Sequence, residues 1–329
     1  MQLVINSYGS RLHKVGECFE VKMDDSKDIV SAQKVDSILL TTGGSLTTDA
    51  IQLAMNNNID IVFLDRYGNP FGRIWQSKLG STTRIRRRQL EIAEKEEGLK
   101  IVQGWIVQKM DNQILFLEQL MRHRASKEEF IQDSIDMMMA LKEKLKYLKG
   151  TIEEKRSEIL GLEGSASRIY FKTIADLIPP KYKFKGRSRH PARDEFNAML
   201  NYCYGILYSM VEKACLIAGL DPYIGFLHTD NYNKKSLVFD LIELYRIIGD
   251  KTTFYLFSKR KIKEDFFEKS RKGVFLVKDG KKVLIDAFNE RMDKKIRYRG
   301  RNLHQHDIMQ FDCHKFANSL IKQDKREKS

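Results

Sequence analysis

The sequence has 329 residues and a mass of 38.4 kDa. This length suits about two domains, and it allows a sizeable core without disulfides or a structural metal. Its 58 Lys and Arg residues exceed its 44 Asp and Glu residues, and the net charge of +14 indicates a polyanionic partner. Residues 1–83 hold 8 basic and 9 acidic residues, so the whole excess lies in residues 84–329.

The N-terminus lacks the basic and apolar regions of a signal peptide. No uncharged apolar run is long enough to cross a membrane. The four cysteines are scattered and form no CxxC pair, which is typical of a reducing compartment. These features predict a cytoplasmic protein with no membrane partner.

Residues 1–83 favour a small β-domain. Short apolar or alternating segments predict strands at 2–6, 11–15, 18–21, 37–40, 59–64 and 71–75. A helix is expected at 47–55, with Thr47 or Thr48 as its N-cap. The strand edges of this domain could also serve a dimer contact.

From residue 84 onward the apolar residues recur with helical spacing. This spacing predicts helices within 84–124, 127–148, 151–178 and 194–220, and again from 250 to about 269. A hairpin is expected over 272–285, with strands at 274–277 and 282–285 around the turn signal Asp279-Gly280. The predicted fold class is therefore α+β, mainly α, with a small β-domain at 1–83 and a larger α-helical domain at 84–329.

The stretch 224–246 holds a candidate metal site. Asp240 and Glu243 lie three residues apart in an apolar helical run, so they are expected on one face, with Arg246 continuing that row. His228 precedes this run. Two carboxylates and a neutral imidazole would suit Mg²⁺ or Mn²⁺. The alternative is a helix with an ordinary polar stripe and an unrelated histidine.

Glu163 is a candidate third carboxylate. It stands in a helical pattern between Gly161 and Gly164, and glycine costs a helix roughly 1 kcal/mol relative to alanine. Two explanations are open: the helix breaks at Gly161, or another molecule approaches the backbone beside Glu163.

A basic segment at 181–193 is a candidate nucleic-acid contact. Tyr182 and Phe184 alternate with its cations, a composition that holds phosphates and stacks bases. The alternative is a solvated loop, since Gly186, Ser188 and Pro191 disfavour a strand. The cations of this segment are Lys181, Lys183, Lys185, Arg187, Arg189 and Arg193.

A second basic segment ends near residue 301, where Arg297, Arg299 and Arg301 surround Tyr298. His304 and His306 follow it. Alternating imidazoles in a polar segment are more typical of surface histidines than of metal ligands.

Together these segments resemble the CRISPR-associated endonuclease/integrase family of spacer acquisition, the "Cas one" family. The resemblance rests on LGLEGSA at 160–166, YF at 170–171, RHPARDEFN at 189–197, YG at 204–205, GFLH at 225–228 and SLVFDLIE at 236–243. TGG at 42–44 and DRYG at 65–68 are also similar to the family. The likeness covers nearly the whole chain.

The resemblance implies a metal, Mg²⁺ or Mn²⁺, held by Glu163, His228 and Asp240, with Glu243 as an accessory catalytic carboxylate. It implies a homodimer whose N-terminal β-domain, at 1–83, joins a larger α-helical catalytic and DNA-binding domain at 84–329. It also implies double-stranded DNA as the substrate, both prespacer and CRISPR repeat, and a small ferredoxin-like partner, "Cas two", that bridges two dimers. Lys235 and Arg246 are further candidates for contacts with DNA or with the carboxylates.

The predicted reaction is a transesterification, in which the 3′-hydroxyl of a prespacer strand attacks a phosphodiester at the repeat boundary. One alternative is a metal-dependent nuclease or junction resolvase that uses water as the nucleophile. Another is a non-catalytic DNA-binding architectural protein, whose carboxylates only pair with Arg246 and nearby lysines.

Overall fold

The computed structural model describes residues 1–23, 26–75, 83–229 and 234–327. It confirms the predicted α+β class, with strands concentrated near the N-terminus and helices after them. The N-terminal strands are β1 (Gln2–Ile5), β2 (Ser10–Val15), β3 (Cys18–Lys22), β4 (Lys27–Ser31), β5 (Ser37–Leu40), β6 (Gly44–Leu46), β7 (Asp60–Leu64) and β8 (Pro70–Ile74). Helix α1 (Thr48–Asn56) lies between β6 and β7.

These strands form two sheets. In the first, with the order β1-β5-β7-β8, the strands β1, β5 and β7 run parallel and β8 pairs antiparallel with β7. In the second, the order is β4-β3-β2-β6. Leu12, Phe19, Ile38 and Leu53 belong to one buried cluster that joins both sheets and α1. This apolar cluster is the core of the N-terminal part.

The six predicted strands of this part are found within about a residue of their expected bounds, whereas β4 and β6 were missed. β4 is a mostly exposed edge strand, so it lacks the apolar alternation that marks a half-buried strand. β6 has only three residues. The N-cap of α1 is Thr47, whose side chain accepts a hydrogen bond from the backbone N–H of Ala50.

The second part is mainly helical. Its helices are α2 (Thr83–Ala93), α3 (Glu96–Met121), α4 (Glu128–Lys146), α5 (Ile152–Leu177), α6 (Glu195–Ala218), α7 (Ser236–Ile242), α8 (Arg246–Ser258), α9 (Lys278–Met292) and α10 (Gln305–Glu327). Two antiparallel hairpins complete it: β9 (Phe267–Ser270) with β10 (Gly273–Leu276), and β11 (Lys295–Tyr298) with β12 (Arg301–His304). Helix α6 is the centre, since it is buried along most of its length and packs against α7, α8 and α10.

The two parts meet where α6 crosses the β7–β8 hairpin. A Cβ atom at Gly205 would lie 1.7 Å from the backbone oxygen of Gly68, so the crossing requires glycine there. Arg73 of β8 pairs with Asp60 of β7 at 3.2 Å and with Glu212 of α6 at 3.3 Å, and all three side chains are buried. The boundary predicted near residue 83 adjoins residues 76–82, which lie outside the described part of the chain.

Two sequence predictions in the helical part are wrong. Residues 272–285 do not form the expected hairpin, because β10 ends at Leu276 and α9 begins at Lys278. Gly280 lies inside α9, where a Cβ would be 2.6 Å from the oxygen of Phe266. It serves helix packing rather than a turn. The helix expected to reach residue 269 ends at Ser258, and β9 follows.

Of the two explanations for Gly161 and Gly164, the structure excludes a helix break at Gly161. Helix α5 runs without interruption past Gly161 and Gly164, after a capping box formed by Thr151 and Glu154. Nothing lies within 4 Å of the position that a Cβ would take at either glycine. The helix surface beside Glu163 is therefore open.

In the described residues, no helix combines the length and the apolar character needed to cross a membrane.

Candidate active site

Two carboxylates from separate elements converge on one lysine. Glu163 lies in the middle of α5, and Glu243 directly follows α7. The Nζ of Lys109, on α3, contacts Glu163 Oε1 and lies 2.5 Å from Glu243 Oε2. The Oγ of Ser167 donates a second hydrogen bond to Glu163 Oε1, at 2.8 Å. An ammonium that is only 6% exposed is thus shared by both acids.

Glu243 also pairs with Arg246, whose Nε lies 2.8 Å from Glu243 Oε1. Burial opposes ionisation of this carboxyl group, but the charges of Arg246 and Lys109 outweigh burial and hold its pKa well below the usual value. The Arg246 guanidinium in turn lies 4.6 Å from the ring centre of Tyr204. Glu243 is therefore a buried anion held between two cations.

His228 and Asp240 form a separate pair. Asp240 accepts hydrogen bonds from the backbone N–H groups of Phe226, Leu227 and His228, at 2.7, 3.1 and 3.0 Å. The Nδ1 of His228 lies 2.7 Å from Asp240 Oδ1. A carboxylate in this position favours the proton on Nδ1 and leaves Nε2 as the basic nitrogen. The imidazole is partly exposed, while Asp240 is buried.

The predicted catalytic residues are thus brought together in two pairs, Glu163 with Glu243 and His228 with Asp240. Asp240 and Glu243 share no partner among the residues that the structure describes, although they are only three positions apart in the chain. Within the described residues, no three His, Cys, Asp or Glu side chains are close enough to hold a metal ion.

A cavity of about 470 Å³ opens beside Glu163, and a second of about 460 Å³ adjoins it. Arg187, Arg189, Tyr204 and Arg246 line both. The other charged residues that line the first cavity are Lys109, Glu163, Arg168, Lys172 and Lys185. This excess of cations over one carboxylate makes the cavity suited to a phosphate group.

Arg187 is the most firmly held cation of the basic segment. Its guanidinium bonds the side-chain oxygens of Asn197 and Asn201, and it lies 5.3 Å from the ring centre of Phe171 and 5.4 Å from that of Tyr204. No carboxylate of the described residues forms an ion pair with this guanidinium, and Arg187 lines both cavities.

The other predicted DNA-binding residues differ in position. Lys185 and Arg189 are exposed and line the cavity, and Arg193 is exposed outside it. Lys181 pairs with Glu264 and Lys183 with Asp176 on the surface. Lys235 pairs with Glu212 at 2.5 Å.

Tyr182 and Phe184 were expected to stack on bases, and the structure does not support this. Both are buried, at 9% and 4% exposure. Phe184 stacks on Phe196, with ring centres 4.5 Å apart, and Tyr182 packs against Phe257. Their alternation with cations reflects a segment that lies on the core with one side and faces solvent with the other.

A buried acid, Asp250, lies under the site. It accepts a hydrogen bond from the hydroxyl of Tyr204. Burial raises its pKa to about 6, and hydrogen bonding to Tyr204 only partly opposes this. Because Tyr204 also contacts Arg187 and Arg246, this network sets the positions of both cations.

Sequence reasoning missed Lys109 and Asp250. Lys109 lies on the buried stripe of α3, three residues after Ile106 and four residues before Gln113. A lysine at a core position of an amphipathic helix needs a buried anion, and that requirement was the available signal. Asp250 gave no comparable signal.

Solved structures share the fold of this chain. A casposase solved bound to an integration product matches with a TM-score of 0.84 and 24% identity, covering 98% of this chain and 91% of that one. A CAS1 protein from Thermotoga maritima matches with a TM-score of 0.82 and 20% identity, covering 98% and 97%. The fold is therefore that of Cas1 proteins and a casposase.

The sequence comparisons define the family. The family model described as CRISPR associated protein Cas1 matches residues 3–290. A CRISPR-associated endonuclease Cas1 of Archaeoglobus fulgidus is 34% identical, with 94% of this chain and 96% of the relative covered. A CRISPR-associated protein Cas1 of Methanobrevibacter ruminantium is 30% identical, covering 87% and 86%. This chain belongs to the Cas1 family of CRISPR-associated proteins, as the motifs predicted.

Proposed function

We propose that the protein is a metal-dependent DNA endonuclease/integrase of CRISPR adaptation, which joins prespacer 3′-hydroxyl ends to the repeat by transesterification. The observation that carries this proposal is the convergence of Glu163 and Glu243 on one buried cation beside a cationic cavity. A site built this way can hold a phosphodiester next to two carboxylates. Membership of the Cas1 family supports the same function.

The donor set fits Mg²⁺ or Mn²⁺, because two carboxylates and a neutral imidazole suit these ions. Glu163 and Glu243 already share a cation in Lys109. In the described residues no three of these side chains already lie close enough to share an ion, so Glu163, Glu243 and the Nε2 of His228 would hold the metal only after Lys109 moves aside. When bound, the ion supplies Lewis-acid polarisation of the phosphoryl oxygens and assists the nucleophile.

The family resemblance implied Asp240 as a direct ligand and Glu243 as an accessory carboxylate. Our proposal exchanges these roles. Asp240 already accepts four hydrogen bonds, which fix the backbone at 226–228 and the tautomer of His228. Among the described residues, the charged partners of Glu243 are the side chains of Lys109 and Arg246, and side chains can move aside. Asp240 is thus a positioning residue.

The chain's own residues then bind and orient the DNA. Arg187, Arg189 and Lys185 would contact phosphates from the cavity wall. Their fixed charges stabilise the charge that develops on the phosphoryl oxygens during attack by the 3′-hydroxyl. Because phosphoryl transfer needs little covalent chemistry from the protein, positioning of this kind supplies much of the rate.

The assembly we propose is a homodimer that works in the cytoplasm with a ferredoxin-like Cas2 partner on double-stranded DNA. A structural neighbour solved as a Cas6-RT-Cas1–Cas2 complex supports Cas2 as the partner; it has a TM-score of 0.80 and 23% identity, and the match covers 98% of this chain and 35% of that one.

The test is an integration assay on a supercoiled plasmid that carries a CRISPR repeat, with and without the Cas2 partner. Joined prespacer–plasmid products in Mg²⁺ or Mn²⁺, abolished by EDTA, are expected. Glu163→Ala should remove them, whereas Glu158→Ala, on the exposed part of the same helix, should not. Shortened strands alone would mean hydrolysis, and DNA binding without any strand breakage would mean an architectural protein.

A further inference from the structure

The hairpin β11–β12 is a short basic ribbon. Its strands pair antiparallel, with Lys295 opposite His304 and Arg297 opposite Asn302. Residues directly opposite in such a pair lie on the same face of the ribbon. Lys295, Arg297, Asn302 and His304 therefore share one face, which we call the outer face.

The other face fixes the ribbon to the helices. Tyr298 and Leu303 pack against the core of the helical part. The Tyr298 hydroxyl donates to Asp312 Oδ2 at 2.7 Å, and the Tyr245 hydroxyl donates to the same oxygen at 3.2 Å. Because Tyr245 precedes α8, the ribbon is tied to the helix that begins with Arg246.

The outer face carries no carboxylate. Lys295 and Arg297 are exposed, and in the described part of the chain neither lies within 4.0 Å of an acidic side chain. The neighbouring Lys294 and Arg299 do have acidic partners, Glu290 and Asp312. Two free cations beside an amide and an imidazole thus project from a rigid support.

We propose that the outer face is a second DNA-contacting surface, separate from the cavity, which binds the backbone of duplex DNA. This inference rests on the proposed function, since it takes DNA as the substrate. Lysine and arginine contact phosphates, while asparagine and histidine can donate hydrogen bonds to phosphates or base edges.

The chemistry of the face favours duplex DNA over other polyanions. A two-stranded ribbon has the width that the major groove admits. Proteins that bind single strands present aromatic side chains for stacking, and the outer face has none apart from the partly buried His304. Protein interfaces are centred on large apolar or aromatic anchors, which the outer face also lacks.

The experiment compares a ribbon variant, Lys295→Gln with Arg297→Gln, with a control, Arg122→Gln with Lys144→Gln. The control residues are exposed cations on the α3–α4 side of the molecule. Binding of a fluorescent DNA duplex is measured by anisotropy over a series of salt concentrations. Each lost phosphate contact reduces the salt slope by about 0.9, so the ribbon variant should lose about 2 from the slope and bind about tenfold more weakly.

A control that changes the slope by as much as the ribbon variant would overturn the proposal, as would a ribbon variant that binds like the wild type. A loss confined to single-stranded DNA or to the Cas2 partner would also overturn it. In all these cases the wild type still binds duplex DNA, so the proposed function stands. Failure of the wild type to bind DNA would count against the function itself. Thermal unfolding of each variant verifies the fold.

Discussion

Asp240 and Glu243 are both buried acids at the end of α7, three residues apart, yet their surroundings differ. The partners of Asp240 are three backbone N–H groups and one imidazole N–H, which the fold holds in place. The partners of Glu243 are the charged ends of Lys109 and Arg246. The comparison teaches that one carboxylate stabilises the local backbone, whereas the other is available to a different cation.

The largest expected effect is on catalysis by Glu243→Gln. The substitution keeps the size of the side chain but removes the negative charge with which, in our proposal, Glu243 binds the metal. We expect strand transfer to fall by about 10³-fold, in the range for lost electrostatic stabilisation of a transition state. Gel quantification of joined products measures this, with Glu158→Gln as the control. Activity near that of the wild type would transfer the ligand role back to Asp240.

Asp240→Ala should act mainly on stability. It leaves three buried N–H groups without an acceptor, and each costs about 1–3 kcal/mol. The free energy of unfolding in urea should fall by about 4 kcal/mol. Asp240→Asn retains one acceptor oxygen and should lose less, with more activity left than in Glu243→Gln. Equal activity losses in these two Asn and Gln variants would contradict the division of roles.

Asp250 sharpens the comparison, because its hydrogen-bond partner is a neutral phenol and its pKa is raised to about 6 from 3.8. The folded state then binds a proton that the unfolded chain releases, so this group's contribution to stability falls as pH rises from about 4 to 6. Since one pKa unit corresponds to about 1.4 kcal/mol, the fall is about 3 kcal/mol.

Asp250→Asn cannot titrate. The difference in unfolding free energy between the wild type and this variant should therefore change by about 3 kcal/mol between pH 4 and pH 7. The wild type becomes less stable relative to the variant as the pH rises. Denaturation at several pH values measures it. A difference that stays constant with pH would show that Asp250 titrates alike in both states.

Lys109→Met tests whether the shared ammonium competes with the metal. With this cation gone, Glu163 and Glu243 face each other with less compensation, and Mn²⁺ no longer has to displace Lys109. We expect about tenfold tighter Mn²⁺ binding by calorimetry, equivalent to about 1.4 kcal/mol. Lys142→Met, which removes a lysine paired with Asp111, is the control. Unchanged affinity would mean that the ammonium does not compete with Mn²⁺ for these carboxylates.

The smallest effect should come from the exposed lysines of the basic segment. Lys181 and Lys183 pair with acids and lie outside the cavity, so replacing both by Gln should weaken binding of duplex DNA less than twofold. Arg187→Gln, at the cavity wall, should weaken it several-fold. Anisotropy titrations distinguish them, and the reverse order would place the DNA on the outer side of the segment.

Features set by neighbours in sequence could be predicted. Thr47 caps α1, and Gly219 ends α6 with a left-handed φ of 81°. Features set by tertiary contact could not. Asp279-Gly280 has the composition of a turn, but the close approach of Phe266 makes the glycine part of α9.

The same limit applies to the site. The residue types and the motifs predicted Glu163, His228, Asp240 and Glu243 as site residues, and helical spacing predicted that Asp240 and Glu243 lie on one face. Spacing could not show that the carboxylate of Asp240 would accept hydrogen bonds from the backbone N–H groups of residues 226–228. Nor could it show that α3 would bring Lys109 between the other two acids. Which carboxylate remains available is decided by packing.

The crossing of α6 over the β7–β8 hairpin has a consequence for how the chain is built. Leu39, Val62 and Leu64 of the N-terminal sheet belong to the same apolar cluster as the helices, and Arg73 joins acids from both parts. Cutting the chain between the parts would expose this apolar strip on one fragment. On the other fragment it would leave Glu212 without Arg73. The two parts are therefore obligate folding partners, and neither is a module that could be exchanged alone.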